Sequence, residues 1–398
     1  MMAAITAAEN GASAAVIEKN DRLGRKLAIT GKGRCNVTNN CDVNTALENI
    51  PNNARFLYGA VSRFSPKDVM DFFEELGVPL KTERGNRVFP VSDKAADIVN
   101  ALTKRLDTLG AEILHENARS LILENGSCAG VNTRGRQFRA RSVILAAGGA
   151  SYPGTGSDGY GYRLAEQAGH TIIAPRPSLC PMTTEETWVS QAAGLTLRNT
   201  AIKLICGGKT VYEDFGELAF TQDGIGGATA LSASAHVAQI SDMEEGRLSV
   251  SIDLKPALTE QQLDARILRD FGELHGKTFA DSLRKLLPKE LCAPFSEISG
   301  IPSDKKIGEI TKAERKKLVN LLKDLRLKII GFRPIDEAIV TRGGVKVTEI
   351  SPKTMESKLC KGLFFAGEII DVDGYTGGFN LQTAFSTGRL AGLSAIYE

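Results

Sequence analysis

An acidic residue closes the first apolar strand that the sequence predicts. MAAITAAENGA (residues 2–12) predicts a helix of small residues, and SAAVIE (13–18) predicts a buried strand that ends at Glu18. In a dinucleotide-binding βαβ unit, an acid at the end of the second strand accepts hydrogen bonds from an adenosine ribose. Glu18 is therefore a candidate ribose ligand. The alternative is an ordinary glutamate exposed to solvent at a strand end.

The glycine-rich loop of such a unit lies roughly 20 residues before its acid. The sequence has only seventeen residues before Glu18, so the last glycine of the loop would fall upstream of Met1. We therefore expect that the natural reading frame extends about 10–15 residues further and supplies the missing strand and loop. Without that loop, a pyrophosphate would lose about three charge-assisted hydrogen bonds.

A second candidate segment, GRKLAITGKGRCNVT (24–38), begins with a predicted helical turn and combines glycines, cations and small polar groups. Gly31 and Gly33 allow the backbone to approach a planar or phosphorylated ligand closely. Asn36 and Thr38 add polar side chains. Three cations could contact a pyrophosphate: Arg25, Lys26 and Arg34. The alternative is a glycine-rich surface turn. Cys35, with no partner thiol nearby in the sequence, is better explained as a small buried side chain than as a redox group.

The third candidate is GLFFAGEIIDVDGYTGGFNLQTAFSTGRLAG (362–392). A buried strand ends at Gly367-Glu368, and Gly377-Gly378-Phe379-Asn380 opens a helix of small residues. Reduction of a flavin places negative charge on its N1–C2=O edge, which the positive end of a helix dipole would stabilise. Glu368 suits a ribityl hydroxyl. The alternative is a strand–loop–helix unit with structural glycines, and we favour the flavin.

Gly154, Gly156 and Gly159 also satisfy G-x-G-x-x-G before a predicted helix. The preceding strand ends at Ala147, however, and no acid follows at the required distance. We predict that this loop lines a pocket at a helix N-terminus. An NADPH phosphate site that uses Arg176 is the less favoured alternative.

Composition restricts the class of protein. The chain has 398 residues, a formal net charge of +2 and seven dispersed cysteines without a CxxC pair. These features favour neither a nucleic acid partner by bulk charge, nor a disulfide framework, nor a metal site. Neither an apolar run of about 20 residues nor a secretory signal is visible. We expect a soluble cytoplasmic protein.

The predicted elements indicate an α/β protein. The first ~180 residues alternate helices and strands, with Ser65 and Ser92 as predicted N-caps. A small meander (111–141) precedes the strand SVILAA, as is typical of flavoproteins with two dinucleotide folds. Antiparallel strands with a Gly207-Gly208 turn follow, and then a helical, basic segment. The expected division is 1–187 and 331–398 for the cofactor domain, 188–256 for an inserted β domain and 257–330 for a helical subdomain.

The segment TKAERKKLVNLLKDLRLKI (311–329) carries seven basic and two acidic residues beside an apolar stripe that includes Leu318 and Leu325. It predicts either a nucleic-acid or membrane patch or, as we favour, a solvated helix face.

EKNDRLGRKLAITGKGRCNVTN, GELAFTQDGIGG and the segment from Thr354 to Gly392 together resemble the bacterial NAD(P)/FAD-dependent oxidoreductases, whose members include aminoacetone oxidases and bile-acid reductases. The resemblance covers essentially the whole chain. It implies a doubly wound, two-dinucleotide-fold FAD domain made from both chain ends, with an inserted antiparallel β domain and a helical subdomain. Many members have a histidine where this chain has Gln222.

From the residues and the resemblance together, we predict these cofactor contacts: Glu18, Lys19, Arg25, Lys26, Gly31, Gly33, Arg34, Cys35, Asn36, Thr38, Ala118, Ala147, Gly148, Gly367, Glu368, Gly378, Phe379, Asn380 and Leu381.

The expected function is an FAD-dependent oxidoreductase that transfers hydride through flavin N5 to or from a small molecule, with NAD(P)H as a possible reductant. No histidine or tyrosine stands out as an acid or base, so the catalytic residues stay unassigned. One alternative is a non-catalytic, flavin-poor binding or structural module. Another is a flavoprotein that modifies nucleic acid.

Overall fold

The computed structural model describes residues 1–239 and 245–397. Its helices are α1 (Met2–Glu9), α2 (Arg25–Gly33), α3 (Val43–Glu48), α4 (Ala54–Arg63), α5 (Pro66–Glu75), α6 (Ala95–Thr108), α7 (Tyr160–Gln167), α8 (Gly227–Gln239), α9 (Glu260–Glu273), α10 (Phe279–Leu286), α11 (Lys289–Ser299), α12 (Lys312–Lys323) and α13 (Phe379–Ser394).

The strands are β1 (Ala15–Ile17), β2 (Thr38–Asn39), β3 (Leu80–Glu83), β4 (Arg87–Pro90), β5 (Glu112–Leu114), β6 (Ser120–Glu124), β7 (Ser127–Asn132), β8 (Gln137–Arg139), β9 (Val143–Leu145), β10 (Ile172–Ser178), β11 (Met182–Thr184), β12 (Thr196–Cys206), β13 (Lys209–Phe220), β14 (Gly224–Gly226), β15 (Leu248–Asp253), β16 (Leu325–Phe332), β17 (Val340–Val345) and β18 (Leu363–Phe365).

The chain divides into two compact units. Unit 1 contains Met1–Ser178 and Pro334–Glu398, and unit 2 contains Leu179–Arg333. Unit 2 therefore interrupts unit 1 in the sequence, as the return to glycine-rich α/β texture after residue 330 predicts. The finer four-part division remains a prediction.

Unit 1 has the parallel pairing of a Rossmann-type domain. β1 pairs in parallel with β5, and β9 pairs in parallel with β18. The second pair joins strands from distant parts of the sequence. Both strands are apolar, and parallel strands of this kind are typically covered by helices on both faces. α1 and α13 then pack so closely that a Cβ atom on Gly392 would clash with the backbone of Ala3. Both chain ends thus build one α/β domain, which confirms the predicted fold class.

Two local predictions for unit 1 need correction. Ser92 does not cap α6: the helix begins after Lys94, whose side chain makes no capping hydrogen bond. Ser92 Oγ instead accepts the Lys94 N–H at 3.3 Å. The predicted strand SVILAA ends at Leu145 rather than at Ala147. Ser65 does cap α5, in a capping box with Asp68.

Unit 2 is organised around a closed barrel with the strand order β11-β14-β13-β12-β15-β16. The predicted Gly207-Gly208 turn joins β12 to β13. Helices α9–α12 contribute to the same apolar core, which includes Phe279, Phe295 and Leu318. Closure of the barrel pairs all the strand edges, which an open insertion would leave exposed.

The basic segment 311–329 is not one helix. α12 ends at Lys323, and residues from Leu325 onward form β16 of the barrel. Four of the seven basic residues in the segment make ion pairs within unit 2: Arg315, Lys323, Arg326 and Lys328.

In the parts of the chain that the structure describes, every helix is too short or too polar to span a bilayer.

Candidate functional site

Lys26 and Glu368 meet at the centre of the predicted cofactor site. The Lys26 ammonium lies 2.7 Å from Glu368 Oε2 and donates a hydrogen bond to Ser151 Oγ, also at 2.7 Å. Both charged side chains are only about a quarter exposed or less, at 24% and 20%. The structure therefore joins two residues that the sequence predicted separately, one from each end of the chain.

The start of β17 and the loop after β9 complete this network. Glu368 Oε1 accepts the backbone N–H of Thr341 at 2.7 Å and the Ser151 hydroxyl at 3.2 Å. Thr341 Oγ1 accepts the backbone N–H groups of Ala150 and Ser151, at 2.8 and 3.1 Å. Several donors thus fix the orientation of the Glu368 side chain. Sequence reasoning missed Ser151 and Thr341, because nothing local marks either residue.

The 31–38 segment packs against the N-terminus of α13. In the orientation of the Asn36 amide that satisfies its neighbours, its oxygen accepts the Gly378 N–H at 3.0 Å. The Thr38 hydroxyl donates to Gln382 Oε1 at 2.5 Å. Gly378 has φ of +102°, and a Cβ atom there would clash with the Thr38 backbone. This contact explains why the α13 N-terminus begins with glycine.

The start of α13 is fixed a second time by its own side chains. Asn380 Oδ1 accepts the Gly374 N–H at 2.8 Å, and its amide donates to the Gly374 carbonyl at 2.7 Å. Phe379 is buried, at 5% exposure. The loop before the helix, residues 371–378, is therefore tied to the helix it leads into.

The predicted turn at Arg25 is a helix that breaks at its end. Thr30, Gly31 and Lys32 leave helical geometry inside α2. Gly33 also has a positive φ, +83°. This break exposes backbone groups beside the Asn36 and Thr38 contacts. Cys35 is fully buried, and burial raises the pKa of its thiol to about 12. That thiol is inert at neutral pH, as its interpretation as a small buried side chain requires.

Arg34 does not point its charge at an open site. Its guanidinium pairs with Glu83 and Asp93, and it lies 4.1 Å from the centre of the Phe89 ring. Two carboxylates compensate its charge, so these contacts do not support Arg34 as a pyrophosphate ligand. The sequence could not reveal this, because Glu83 and Asp93 approach Arg34 only through the β2–β4–β3 sheet.

Glu18 directly follows β1, and Asn20 helps to turn the chain there. Glu18 Oε1 accepts the Asn20 backbone N–H at 2.9 Å and the Asn20 amide at 2.7 Å. Arg25 Nη1 in turn donates to Asn20 Oδ1 at 3.3 Å. Both contacts of Glu18 with Asn20 use Oε1, so Oε2 is the oxygen with which a ribose diol could hydrogen-bond.

A polar cavity of about 550 Å³ opens next to this turn. The predicted contact Ala118 is not part of its wall and packs, partly buried, against the apolar core of unit 1. The cavity walls are Lys19, His115, Glu116, Asn117, Arg119, Arg134, Gly135 and Arg136. Its size and its place beside Glu18 suit the adenine end of a dinucleotide.

The G-x-G-x-x-G loop borders the same turn from the other side. Asn20 Nδ2 donates to the Thr155 carbonyl at 3.1 Å, and Lys19 pairs with Asp158 at 2.7 Å. A Cβ atom on Gly156 would lie 2.6 Å from Asn20 Nδ2. The loop therefore supports the Glu18–Asn20 turn, and its glycines permit that packing.

The remaining predicted contacts are backbone positions at strand ends. Ala147 is exposed after β9, and Gly148 has a φ of +77°. Gly367 donates its N–H to the Thr387 hydroxyl at 2.9 Å. Leu381 packs partly buried against the core of α1, α5 and α6. The assignment of Glu18 to the ribose, of Lys26 to the pyrophosphate, and of Glu368 with the α13 N-terminus to the flavin end remains a prediction.

Comparison with known proteins agrees with this geometry. A 3-dehydro-bile acid Δ(4,6)-reductase of Clostridium scindens is 31% identical, with 99% of this chain and 96% of that protein aligned. A ribosomal RNA dihydrouridine synthase of Haemophilus influenzae is 33% identical, with 97% and 93% aligned. A synthase of the same name from Escherichia coli is 26% identical, with the same coverage.

Among solved structures, the fold is similar to that of a 3-ketosteroid-Δ4-(5α)-dehydrogenase from Rhodococcus jostii in complex with 4-androstene-3,17-dione. The TM-score is 0.53 at 16% identity, and the match covers 100% of this chain and 94% of that one. The family model described as the HI0933-like protein Rossmann domain matches residues 1–394. The chain therefore belongs to the HI0933-like family of Rossmann-fold, FAD-dependent oxidoreductases.

Proposed function

We propose that this protein is an FAD-dependent reductase that saturates a C=C bond conjugated with a carbonyl group. The two kinds of curated relative support this reaction class. A Δ(4,6) bond of a 3-dehydro bile acid is conjugated with the C3 ketone, and the uridine bond that is reduced in dihydrouridine is conjugated with the C4 carbonyl. Both names therefore describe one reaction on two different skeletons.

The single observation that carries the proposal is the Lys26–Glu368 contact at 2.7 Å. It brings a cation suited to a pyrophosphate next to a carboxylate suited to a ribityl chain, and both belong to segments predicted to bind FAD. Bound FAD would supply the hydride chemistry. The protein's own residues would bind the cofactor, orient it and place the α13 N-terminus where negative charge develops.

The role of each segment follows from its contacts. Glu18 would bind the adenosine ribose beside the polar cavity, and Lys26 would turn from Glu368 toward the pyrophosphate. Glu368 is already oriented by the Thr341 N–H, so it could accept a ribityl hydroxyl without reorganisation. The exposed backbone of Ala147 and Gly148 would line the cofactor between these ends.

The test begins with the purified protein and added FAD. We expect flavin absorbance to remain with the protein, bleaching by NADPH or NADH, and reoxidation by 4-androstene-3,17-dione with loss of its C=C bond. A colourless protein that FAD does not stabilise would favour the non-catalytic alternative. A yellow protein that either nicotinamide reduces but that reduces no conjugated C=C bond contradicts the proposal.

The second candidate substrate is uridine in ribosomal RNA. It is favoured by the 33% and 26% identity to the two named synthases. Four cations of the basic segment 311–329 in unit 2 make the ion pairs described above. The other three are Lys312, Lys316 and Lys317, all on α12.

RNA binding separates the two candidates. If ribosomal RNA is the substrate, replacing these three lysines by glutamine should weaken RNA binding. The slope of the log binding constant against log salt concentration should also become shallower, by the amount expected for about three phosphate contacts. The matched control is Lys323→Gln on the same helix, because Lys323 is engaged with Asp253. Equal RNA binding by the triple variant and the wild type contradicts a role for α12.

A further inference from the structure

Among the buried polar atoms without a hydrogen-bond partner in the described residues, one belongs to a carboxyl and one to a guanidinium group. They are Oδ1 of Asp373, a side chain that is only 2% exposed, and Nη1 of Arg342. The other carboxyl oxygen of Asp373 accepts the Ser178 hydroxyl at 2.7 Å. Arg342 lies close enough to Asp373 for its charge to lower the pKa of that carboxyl. Buried polar atoms are nearly always paired, so two such unpaired atoms near each other indicate a missing partner.

Both residues adjoin the predicted flavin contacts in sequence. Arg342 follows Thr341, whose N–H donates to Glu368. Asp373 precedes Gly374, whose N–H donates to Asn380. The two orphaned atoms therefore belong to segments that are hydrogen-bonded directly to the flavin end of the cofactor site.

The loop that carries Asp373 is fixed on both sides. The Asn53 amide donates to the Asp371 carbonyl at 2.7 Å, and the Tyr375 N–H donates to the Asn49 carbonyl at 2.9 Å. With Asn380 clamping Gly374, the backbone has little freedom to bring the carboxyl into direct contact with Arg342. A ligand group that accepts two hydrogen bonds would satisfy both side chains.

In its protonated form, the Asp373 carboxyl can also donate a hydrogen bond. Burial raises its pKa above the usual range, while the Ser178 hydroxyl and the charge of Arg342 act in the opposite direction. The Asp371 carboxylate of the same loop also raises the pKa of Asp373, and Asp373 in turn raises the pKa of Tyr375. Asp373 therefore keeps its proton to a higher pH than an ordinary aspartate, and a neutral ligand oxygen beside it favours the protonated form further.

We propose that Arg342 and Asp373 together bind the carbonyl oxygen of the substrate, the one conjugated with the C=C bond that is reduced. This inference rests on the proposed function. A carbonyl oxygen has two lone pairs, so it can accept one hydrogen bond from Arg342 Nη1 and one from the Asp373 carboxyl. Both donors then strengthen their interaction as negative charge develops on that oxygen.

The reaction balances as follows. Bound reduced FAD would supply a hydride to the β-carbon of the substrate, and the C=C electron pair would shift toward the carbonyl oxygen. That oxygen takes the Asp373 proton and forms an enol, while Arg342 and Ser178 stabilise the carboxylate left behind. The enol then loses its O–H proton and gains a proton at the α-carbon, and solvent returns a proton to Asp373. The net change is one hydride and one proton added to the substrate.

The first experiment uses the protein without substrate. Infrared difference spectra between wild type and Asp373→Asn, recorded as a function of pH, isolate the protonated carboxyl band of Asp373. We expect a midpoint above the ~3.9 of an ordinary aspartate. Arg342→Gln and Ser178→Ala should each move it to higher pH, because both groups lower the pKa. A midpoint at or below the ordinary value, or one that neither variant moves, overturns the donor role of Asp373.

The second experiment measures reduction of 4-androstene-3,17-dione and of uridine by the FAD-loaded protein. Asp373→Asn should lower kcat at least about tenfold, and Arg342→Gln should mainly raise KM. The matched control is Asp71→Asn on α5 of the same unit, whose carboxylate pairs with Lys67 at the surface. We expect it to stay within about twofold of wild type.

The outcomes separate the two proposals. Wild-type protein that reduces a probe while Asp373→Asn and Arg342→Gln keep its kinetics contradicts the carbonyl site alone. Wild-type protein that binds FAD but reduces neither probe contradicts the proposed function and the carbonyl site with it, whatever the infrared midpoint shows about Asp373.

Discussion

Unit 2 is one continuous stretch of chain closed into a barrel, whereas unit 1 is assembled from two stretches that unit 2 separates. The unit 2 core is apolar, with Phe279, Leu283 and Phe295 fully buried. The cofactor site of unit 1 depends instead on polar contacts between residues far apart in sequence, such as Lys26 with Glu368 and Thr38 with Gln382. We therefore expect the stability of unit 2 to be independent of the cofactor, whereas the order of the unit 1 site should depend on it.

The largest expected effect on stability comes from removing a buried ring from the core of one unit at a time. Phe295→Ala in unit 2 and Phe73→Ala in unit 1 each remove a fully buried ring, and each should cost about 3–5 kcal/mol of unfolding free energy. We expect FAD to bind only folded unit 1, so saturating FAD should offset the loss for Phe73→Ala and not for Phe295→Ala.

The chain provides its own probe for this measurement. Its single tryptophan, Trp188, packs against the unit 2 core, 5.8 Å from the Phe220 ring. Tryptophan fluorescence should therefore follow the unfolding of unit 2, and flavin fluorescence the loss of the unit 1 site. If FAD raises the tryptophan transition of Phe295→Ala as much as it raises the flavin transition of Phe73→Ala, the two units are not independent.

The next effect disrupts the join between the two ends of unit 1. Gly378→Ala forces a side chain into a positive-φ position and against the Thr38 backbone, at a cost of about 1–3 kcal/mol from the backbone alone. FAD affinity, measured by fluorescence titration, should fall at least about tenfold. Gly154→Ala is the control, because open space surrounds that glycine. Equal losses of FAD affinity in both variants would instead support residues 154–159 as a nucleotide-binding loop.

A smaller effect separates two cations of the 24–38 segment. Lys26→Met removes the donor to Ser151 and Glu368 and the predicted pyrophosphate contact, about 1.5–2 kcal/mol or a 10–30-fold weaker FAD affinity. Arg34→Met should change FAD affinity less than about threefold, because Glu83 and Asp93 already compensate Arg34. Calorimetric titration at two salt concentrations measures both. The opposite ranking would make Arg34 the phosphate ligand.

The smallest expected effect is a pH dependence of the unfolding free energy that arises in unit 1. His170 lies with its Nε2 2.7 Å from Ser357 Oγ and its ring 4.7 Å from that of Phe365. Burial lowers its pKa, and Glu349, 3.4 Å away, opposes the shift only in part. The unfolded chain therefore binds the proton more readily, and the unfolding free energy should fall as the pH drops below about 6.5.

Urea titrations at about pH 7.5 and about pH 5.5 test this dependence. His170→Gln should lower stability at the higher pH and flatten the change between the two values. A variant that keeps the wild-type slope would assign the dependence to other groups.

The sequence singled out candidate cofactor segments, but not the contacts within them. Glu18, Lys26 and Glu368 stood out as candidates because strand-end acids and glycine-flanked cations have a local signature. Ser151 and Thr341 did not, since each reaches Glu368 only through a tertiary contact. Asp373 stood in a segment already singled out, but its burial and its unpaired oxygen depend on the neighbouring strands.

The errors in secondary structure also have physical causes. In LRLKIIGF (325–332), buried and exposed residues alternate with a period of two, as in a strand. The helical stripe of the preceding residues and their basic composition obscured that change of period. Closure of the barrel was out of reach for a related reason: alternation predicts a strand, but it does not say which strand pairs with each edge.

The pairing of β9 with β18 has a consequence for the order of events during synthesis. Lys26 emerges from the ribosome 342 residues before Glu368, and the whole of unit 2 is translated in between. Because domains fold as units during translation, the barrel can close while the first part of unit 1 still lacks β18 and α13. A cofactor site that joins Lys26 to Glu368 is therefore incomplete until β18 and α13 have been translated, and until then the edge of β9 that pairs with β18 has no partner strand.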